Sequence, residues 1–412
     1  MAKDYKMIIG AQDPTDSGLA RGLYIFSKKE GFFDRSSLDD GADQYIEIDG
    51  KRMTPRTLKA NQKALQILTR THIMDCNGEN ISYKKKKATD PEKILEPTTI
   101  IALEDLLSTL PEQKRKELLA NPTYWMEKSL EGLFISLFLA DQAADKFKEG
   151  VLLYSSSGKI EDLKLIPECI PTGPVIPTAD RTAILVPRMN RCLRYQFRQG
   201  QVNLTDNIPL QGNILALDDK YRTTVITGND EDWFITSTGR KILPPERGLL
   251  DDVQPSFEQD SYQAIPSEAT TVGLARYQNK EYVLLGVDDG RLLLWEIVEA
   301  ANNNYIPQHI KTVNFLSLEK IALEGGKEMH LRDLRIDDNG WVSFMLANLF
   351  IRTSMTALLE LSPDQRIDAV NERNSGDKGY LDYLSTMKTT YHLDQICAVP
   401  HRATSYEMLE TE

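Results

Sequence analysis

The chain has 412 residues, 41% of them hydrophobic and 27% charged, with a formal net charge of −12. That length is too great for one small domain and suits a large repeat fold carrying an insertion. The acidic balance argues against a protein that coats nucleic acid, because neutralising phosphates needs a basic excess.

Tyr5–Gly10 and Leu23–Phe26 are short β-type runs, and MAKDYKMIIGAQD holds no apolar run long enough for a signal peptide. Tyr45–Met53 reads as a hairpin, since Tyr45-Ile46-Glu47-Ile48 alternates and Asp49-Gly50 is a strong two-residue turn signal. Thr54 as a cap and Pro55 at the first helical position then predict a helix, with Leu58, Leu65 and Leu68 on one face. Lys84, Lys85, Lys86 and Lys87 are the densest charge in the chain. They read as an anion-binding patch or, more plainly, as a solvated loop. Ile100–Phe147 is predicted helical: Leu103, Leu106, Leu107 and Leu110 form one stripe. Met126, Leu130, Leu133, Phe134, Leu137 and Phe138 form a wider one after Asn121-Pro122. Tyr124 and Trp125, at the start of that helix, belong to the core or to a patch for a partner helix. The longest apolar stretch, Leu133–Ala140, is far short of the roughly 20 residues of a membrane span, so no membrane association is expected.

From Val151 the period changes to two. Pro167, Pro171, Pro174 and Pro177 mark an extended link. In Arg191–Arg198, Leu193, Tyr195 and Phe197 alternate with Arg194, Gln196 and Arg198, giving one apolar and one cationic face. With Arg188 and Arg191 these residues are the best local binding candidate, for an acidic peptide, a phosphate or a nucleic-acid backbone. A solvated outer face explains them more simply. Asn213–Leu217, Thr223–Thr227 and Trp233–Ser237 continue the series, and Leu243–Gln263 reads as an acidic surface loop. Val272–Ala275, Tyr282–Leu285 and Leu292–Ile297 form a three-strand unit turned at Asp288-Asp289-Gly290 and anchored by Trp295. Met329–Leu346 repeats that layout around Asn339-Gly340. Leu349–Leu361 is strand or helix, Tyr391–Val399 a last strand, and Ser405–Glu412 a frayed end.

Val283–Ile297 (VLLGVDDGRLLLWEI) resembles a WD-repeat blade, with a strand, an Asp-Gly turn and a strand carrying Trp. Leu331–Leu346 is similar to blades of two-component-regulator propellers, with a shorter Gly–Trp spacing. The Trp-Asp dipeptide and the Gly-His pair of true WD repeats are missing. The resemblance implies a closed ring of four-stranded blades that binds a partner. The expected fold is therefore mainly β: an irregular propeller-like repeat domain with an α-helical insertion or cap in the N-terminal third. Residues 1–53 would be an N-terminal β segment closing the propeller, 54–150 the helical cap, and 151–412 the propeller-like domain.

Little chemistry is legible. The four cysteines, Cys76, Cys169, Cys192 and Cys397, include no CxxC pair and read as free thiols in a reducing compartment, which places the protein in the cytoplasm. No two of the five histidines sit at metal-ligand spacing on one element. His72, Asp75 and Cys76 could mimic a thiol nucleophile with its base, although a helix end explains them better. Phosphate-binding glycine loops and a GxSxG elbow are absent. No catalytic residue, metal site or cofactor is predicted. The first reading is a non-enzymatic interaction module, an accessory or scaffold subunit whose partner is another protein in a larger complex. The alternatives are a propeller-type hydrolase or lyase on a small molecule or glycan, and a nucleic-acid-associated factor using Lys84–Lys87 and the arginine strand.

Overall fold

The computed structural model describes residues 5–12, 22–27, 42–61, 64–81, 93–120, 123–128, 132–139, 148–166, 169–171, 175–177, 183–188, 191–198, 201–209, 213–218, 223–227, 233–237, 241–242, 269–287, 290–299, 304–315, 331–337, 339–362, 377–399 and 402–410. They are mainly strand. Consecutive antiparallel sheets, each mostly a meander along the chain, make the fold a β-propeller. Among the described residues there are seven sheets of three to five strands and one two-stranded hairpin. They fall into two compact units.

The first unit begins with β1 (Tyr5–Gln12) and β2 (Gly22–Ser27), followed by a hairpin of β3 (Ile46–Ile48) and β4 (Lys51–Met53). The turn of that hairpin is Asp49-Gly50, with φ of 52° and 73°, as the Asp-Gly signal requires. Next comes a sheet of β5 (Thr57–Asn61), β6 (Ala64–Leu68), β7 (His72–Asn77) and β8 (Thr99–Ala102). Two short helices, α1 (Leu103–Leu106) and α2 (Glu112–Ala120), lead to β9 (Thr123–Lys128), β10 (Leu133–Leu139), β11 (Lys148–Ser155) and β12 (Lys164–Ile166). A fourth sheet holds β13 (Ile176–Pro177), β14 (Ala183–Arg188), β15 (Arg191–Arg198) and β16 (Gln201–Pro209). β13 carries Pro177 on a sheet edge, where a missing N–H is tolerated.

Apolar clusters fill the spaces between these sheets. Ile8 and Ile25 pack with Leu58, Leu65, Ile67 and Met74. Leu68 and Ile73 pack with Leu133, Ile135, Leu137 and Leu153, and with Leu103 and Leu118 of the two helices. Phe134 stacks on Tyr154 at 4.8 Å and both meet Ile184, Val186 and Tyr195. A sheet buried on both faces is stabilised twice over, at about 1.5–3 kcal/mol per fully buried side chain.

The second unit contains β17 (Asn213–Asp218), β18 (Thr223–Thr227) and β19 (Trp233–Ser237) as one sheet. A five-stranded sheet follows: β20 (Lys241–Ile242), β21 (Ala269–Tyr277), β22 (Lys280–Val287), β23 (Arg291–Glu299) and β24 (Asn304–Asn314). Its β21–β22 turn uses Gln278 and Asn279 at φ 50° and 63°. The last sheet of this unit is β25 (Leu331–Ile336), β26 (Trp341–Leu346), β27 (Leu349–Ser354) and β28 (Gln395–Ala398). Between β27 and β28 lie α3 (Met355–Glu360), capped by Ser354, and α4 (Asp377–Thr390). Phe315 packs on Phe344 and Tyr391 with centroids 5.2 Å and 5.1 Å apart, at the heart of the unit's core.

Lys311, on β24, is buried and donates to the carbonyls of Leu359 (2.7 Å) and Leu361 (2.5 Å) at the end of α3. Burial holds its ammonium below the ordinary lysine pKa. The unfolded chain then binds this proton more tightly, so stability on this account rises with pH towards the unfolded value and falls as pH drops through the lowered one. Urea midpoints measured from about pH 8 to about pH 11 should show the wild type gaining on a Lys311→Met variant as pH rises. A constant difference would mean that the amine is not desolvated.

The first and last described strands meet. β29 (Arg402–Glu410) returns to the first unit and pairs antiparallel with β1, from Tyr5↔Glu410 to Gln12↔Arg402, with one bulge after Gly10. The expected fraying of Ser405–Glu412 is thereby corrected as far as Glu410. Tyr406 and Leu409 are buried, and the β1 edge supplies the ladder that keeps this segment in place.

The helical cap expected over 54–150 is also corrected. Thr54 and Pro55 open no helix: they lead into β5, and Leu58, Leu65 and Leu68 lie on β5 and β6. Met126, Leu133, Phe134 and Leu137 lie on β9 and β10. Between Thr54 and Gly150 only α1 and α2 are α-helical among the described residues, with one 3-10 turn at Gly78–Asn80. A strand buried on both faces carries a near-continuous apolar run, and such a run matches a helical spacing as readily as a strand's. Leu349–Leu361 divides into β27 and α3, and α4 precedes the short β28. The acidic loop 243–263 and Lys84–Lys87 lie outside the described residues.

Candidate functional site

In the first unit, four sheets come together along one edge strand each: β5 lies against β29 on one side and β9 on the other, and β13 lies against β9. An edge strand has unpaired backbone groups. Here some are met by side chains of the neighbouring edge. Ser405 Oγ accepts from the Leu58 N–H at 3.2 Å, and Thr404 Oγ1 donates to the Pro55 carbonyl at 2.5 Å.

Three charged side chains meet on these converging edges. Lys59 of β5 places Nζ 3.1 Å from Glu127 Oε2 of β9 and 3.9 Å from Glu407 Oε1 of β29. The side chains are 12%, 20% and 11% exposed, so all three are largely withdrawn from water yet reachable. One ammonium thus lies between two carboxylates. Because both carboxylates reach the same ammonium, they stand within about 7 Å of one another, inside the range in which a carboxylate pair works on one substrate. Withdrawing such charges from water costs free energy that their attraction only partly returns, so the cluster is weak as a device for stability alone.

Lys59 also begins a polar row across its sheet. Lys59 pairs with Gln66, Gln66 with Asp75, and Asp75 with Thr99, so all four share one face. Gln66 is fully buried and its Nε2 donates to the Gly158 carbonyl at 2.9 Å; Thr99 Oγ1 donates to Glu161 Oε1 at 2.9 Å. The adjacent row on the same face is apolar, with Leu68 and Ile73.

Of the described residues singled out in the sequence, two share a strand with the cluster and the others do not. Tyr124 and Trp125 sit on β9, three and two residues before Glu127, opposite Leu137 and Ser136. They start no helix, because β9 is extended. Arg188 ends β14 and stands opposite Arg191 of β15. Arg194 and Gln196 are half-buried, and Leu193 and Tyr195 are buried, as the alternation of β15 predicts. Arg198 ends β15 opposite Gln201. β15 is an interior strand of its sheet, between β14 and β16, so none of these arginines is on a strand that carries the charged cluster. Lys59, Glu127 and Glu407 were not singled out in the sequence. The alternation of Leu58-Lys59-Ala60 and Tyr406-Glu407-Met408 was the available signal.

Cys76 is no nucleophile. It lies on β7, buried between sheets, and its thiol is pushed up to about 12, first by burial and then by the charge of Asp75. Cys169 and Cys397 are buried as well and form no disulfide. Iodoacetamide should leave all three unmodified in the folded protein and modify them in urea, read by peptide mass spectrometry. Rapid native labelling of Cys76 would contradict this burial. Among the described residues no three His, Cys, Asp or Glu side chains are placed to hold a metal ion. No helix among them is long and apolar enough to cross a membrane.

No protein-family description and no curated protein matches the sequence. Solved structures do match in shape. A periplasmic gluconolactonase of Pseudomonas aeruginosa superposes with a TM-score of 0.52 at 10% identity, covering 99% of this chain and 100% of that one. A candidate 6-phosphogluconolactonase from Bacteroides uniformis gives 0.49 at 9% identity, over 99% and 100%. Apo AztD from Citrobacter koseri gives 0.40 at 8% identity, over 99% and 98%. The likeness is one of fold.

Proposed function

We propose that the chain is a propeller-type hydrolase acting on a small hydroxylated substrate, a sugar-derived lactone first of all. The observation that carries this reading is the cluster of Lys59, Glu127 and Glu407 on three converging edge strands. Glu127, the most exposed of the three, takes a proton from an attacking water. Lys59 steadies the negative charge that grows on the carbonyl oxygen. Glu407 holds Lys59 in place from the other side. The full-length likeness to a gluconolactonase guides the choice of substrate and carries no more than that.

The test is acid release by the purified chain from glucono-lactone and other aldonolactones, followed in a pH-stat after subtraction of spontaneous opening. Saturable acceleration supports the reading. No acceleration with lactones, simple esters or glycosides sinks it.

A second reading is an interaction module that binds another protein. Ile100, on the edge strand β8, is 44% exposed, and Ile94 is 47% exposed. An edge strand beside exposed apolar side chains suits pairing with an added strand. Recovery of one stoichiometric partner with the wild type, lost with Ile100→Asp, supports this reading. Isolation of the protein alone counts against it.

A further inference from the structure

Gln66 is fully buried at the centre of β6. It shares a face with Leu68, which packs with Ile135, Leu137 and Leu153 of the next sheet. An amide in such surroundings is costly unless both its ends are hydrogen-bonded. Nε2 is bonded: it donates to the Gly158 carbonyl at 2.9 Å. Oε1 has no hydrogen-bond partner among the described residues. The amide cannot turn over to relieve it, because the Gly158 carbonyl requires a donor. The turn that presents this carbonyl is itself fixed. Gly158 has φ 73°, Ser155 Oγ lies 3.2 Å from Ser157 Oγ, and Ser157 Oγ donates to Asp162 Oδ2 at 2.5 Å. Gln66 Oε1 is thus a buried acceptor held in one orientation.

Lys59 of β5 stands directly opposite Gln66, so their side chains share a face, with Cβ atoms about 5 Å apart. An ammonium has three N–H donors. Glu127 Oε2, at 3.1 Å, takes one. Glu407 Oε1, at 3.9 Å, attracts the charge but lies beyond hydrogen-bond reach. The amine makes no other hydrogen bond among the described residues. A cation with donors to spare therefore adjoins a buried oxygen that needs one.

We infer that one buried water joins Lys59 Nζ to Gln66 Oε1, and that Gln66 is the positioning residue of Lys59. The water accepts from the ammonium and donates to the amide oxygen, which satisfies both. The role in catalysis rests on the hydrolase reading and deepens it. Glu127 holds one N–H and the water a second, so the third is aimed at the carbonyl oxygen on which charge grows. Without Gln66 the amine is free to rotate, and that donor is no longer aimed in advance.

The experiment uses the full chain, with isotope-labelled lysine, at neutral pH. A held ammonium exchanges its protons slowly enough to give a proton–nitrogen NMR signal, assigned to Lys59 by its loss in Lys59→Arg. The wild type should show this signal. Gln66→Met, of similar shape without the acceptor, should speed the exchange by about 10-fold or more, the worth of a charged hydrogen bond. On lactone it should lower kcat by a similar factor and leave KM nearly unchanged. Gln66→Glu keeps an acceptor towards Lys59 and loses the donor to Gly158. It should exchange slowly and turn over faster than Gln66→Met, although it unfolds at no higher urea concentration. A side chain that only fills space and binds Gly158 would give no such rescue. Circular dichroism checks folding, and Gln66→Asn, which draws the amide back by one methylene, serves if Gln66→Met does not fold. Absence of a slow Lys59 signal in the wild type, or unchanged exchange in a folded Gln66→Met or Gln66→Asn, overturns the proposal. If the signals behave as expected and no lactone is opened, the bridge stands and the hydrolase reading alone fails.

Discussion

Glu127→Gln is expected to lower kcat/KM on the best lactone by about 10²–10⁴-fold, the range of a lost general base. Glutamine keeps the shape of the side chain and can still accept a hydrogen bond from Lys59, which lies 3.1 Å away. It cannot accept the proton of water. The fall should appear in kcat and leave KM nearly unchanged, since the lost interaction belongs to the transition state. Glu407→Gln should cost less activity, because at 3.9 Å it only steadies Lys59. Lys59→Met should lose activity and also some stability, because it removes the ammonium that links two partly buried carboxylates. The comparison separates the two roles of the cluster. If Glu127→Gln turns over lactone as fast as the wild type and changes only the unfolding midpoint, the cluster is a structural pin and the hydrolase reading loses its site.

Tyr406→Ala should destabilise the first unit by about 3–5 kcal/mol, the cost of truncating a fully buried aromatic. Tyr406 is 0% exposed and sits opposite Ile9 in the ladder between β1 and β29. Deleting Arg402–Glu410 should do more. It strips β1 of one partner strand, exposes Ile8, and takes away Ser405 Oγ and Thr404 Oγ1, which bind the backbone around Leu58. The deletion variant is expected to lose cooperative urea unfolding. A sharp transition at the wild-type midpoint would show that β1 and its sheet stand without β29.

The propeller was most legible where one residue type fixed a turn. Gly290 and Gly340, at φ 86° and 77°, end the turns that separate β22 from β23 and β25 from β26. Trp295 and Trp341 follow on the next strands. The N-terminal third was misread for a physical reason. Leu133, Ile135 and Leu137 serve one interface of β10 and Phe134 the opposite one, so the strand reads as a solid apolar run. Nothing in such a run distinguishes a period of 2 from one of 3.6. The charged cluster was illegible for another reason. Lys59, Glu127 and Glu407 belong to three separate sheets, and no local spacing links them. Only the tertiary packing of β29, β5 and β9 assembles them.

The pairing of Tyr5 with Glu410 sets the order of events during synthesis. β1 leaves the ribosome some four hundred residues ahead of β29, with Met7, Ile8 and Ile9 destined for full burial. Until β29 follows, that strand has an unsatisfied apolar edge, open to pairing with the edge of another nascent chain. The closing ladder must also bridge some four hundred residues, which makes it a slow, late step. The longer that interval lasts, the longer the apolar edge of β1 stays open to a wrong partner.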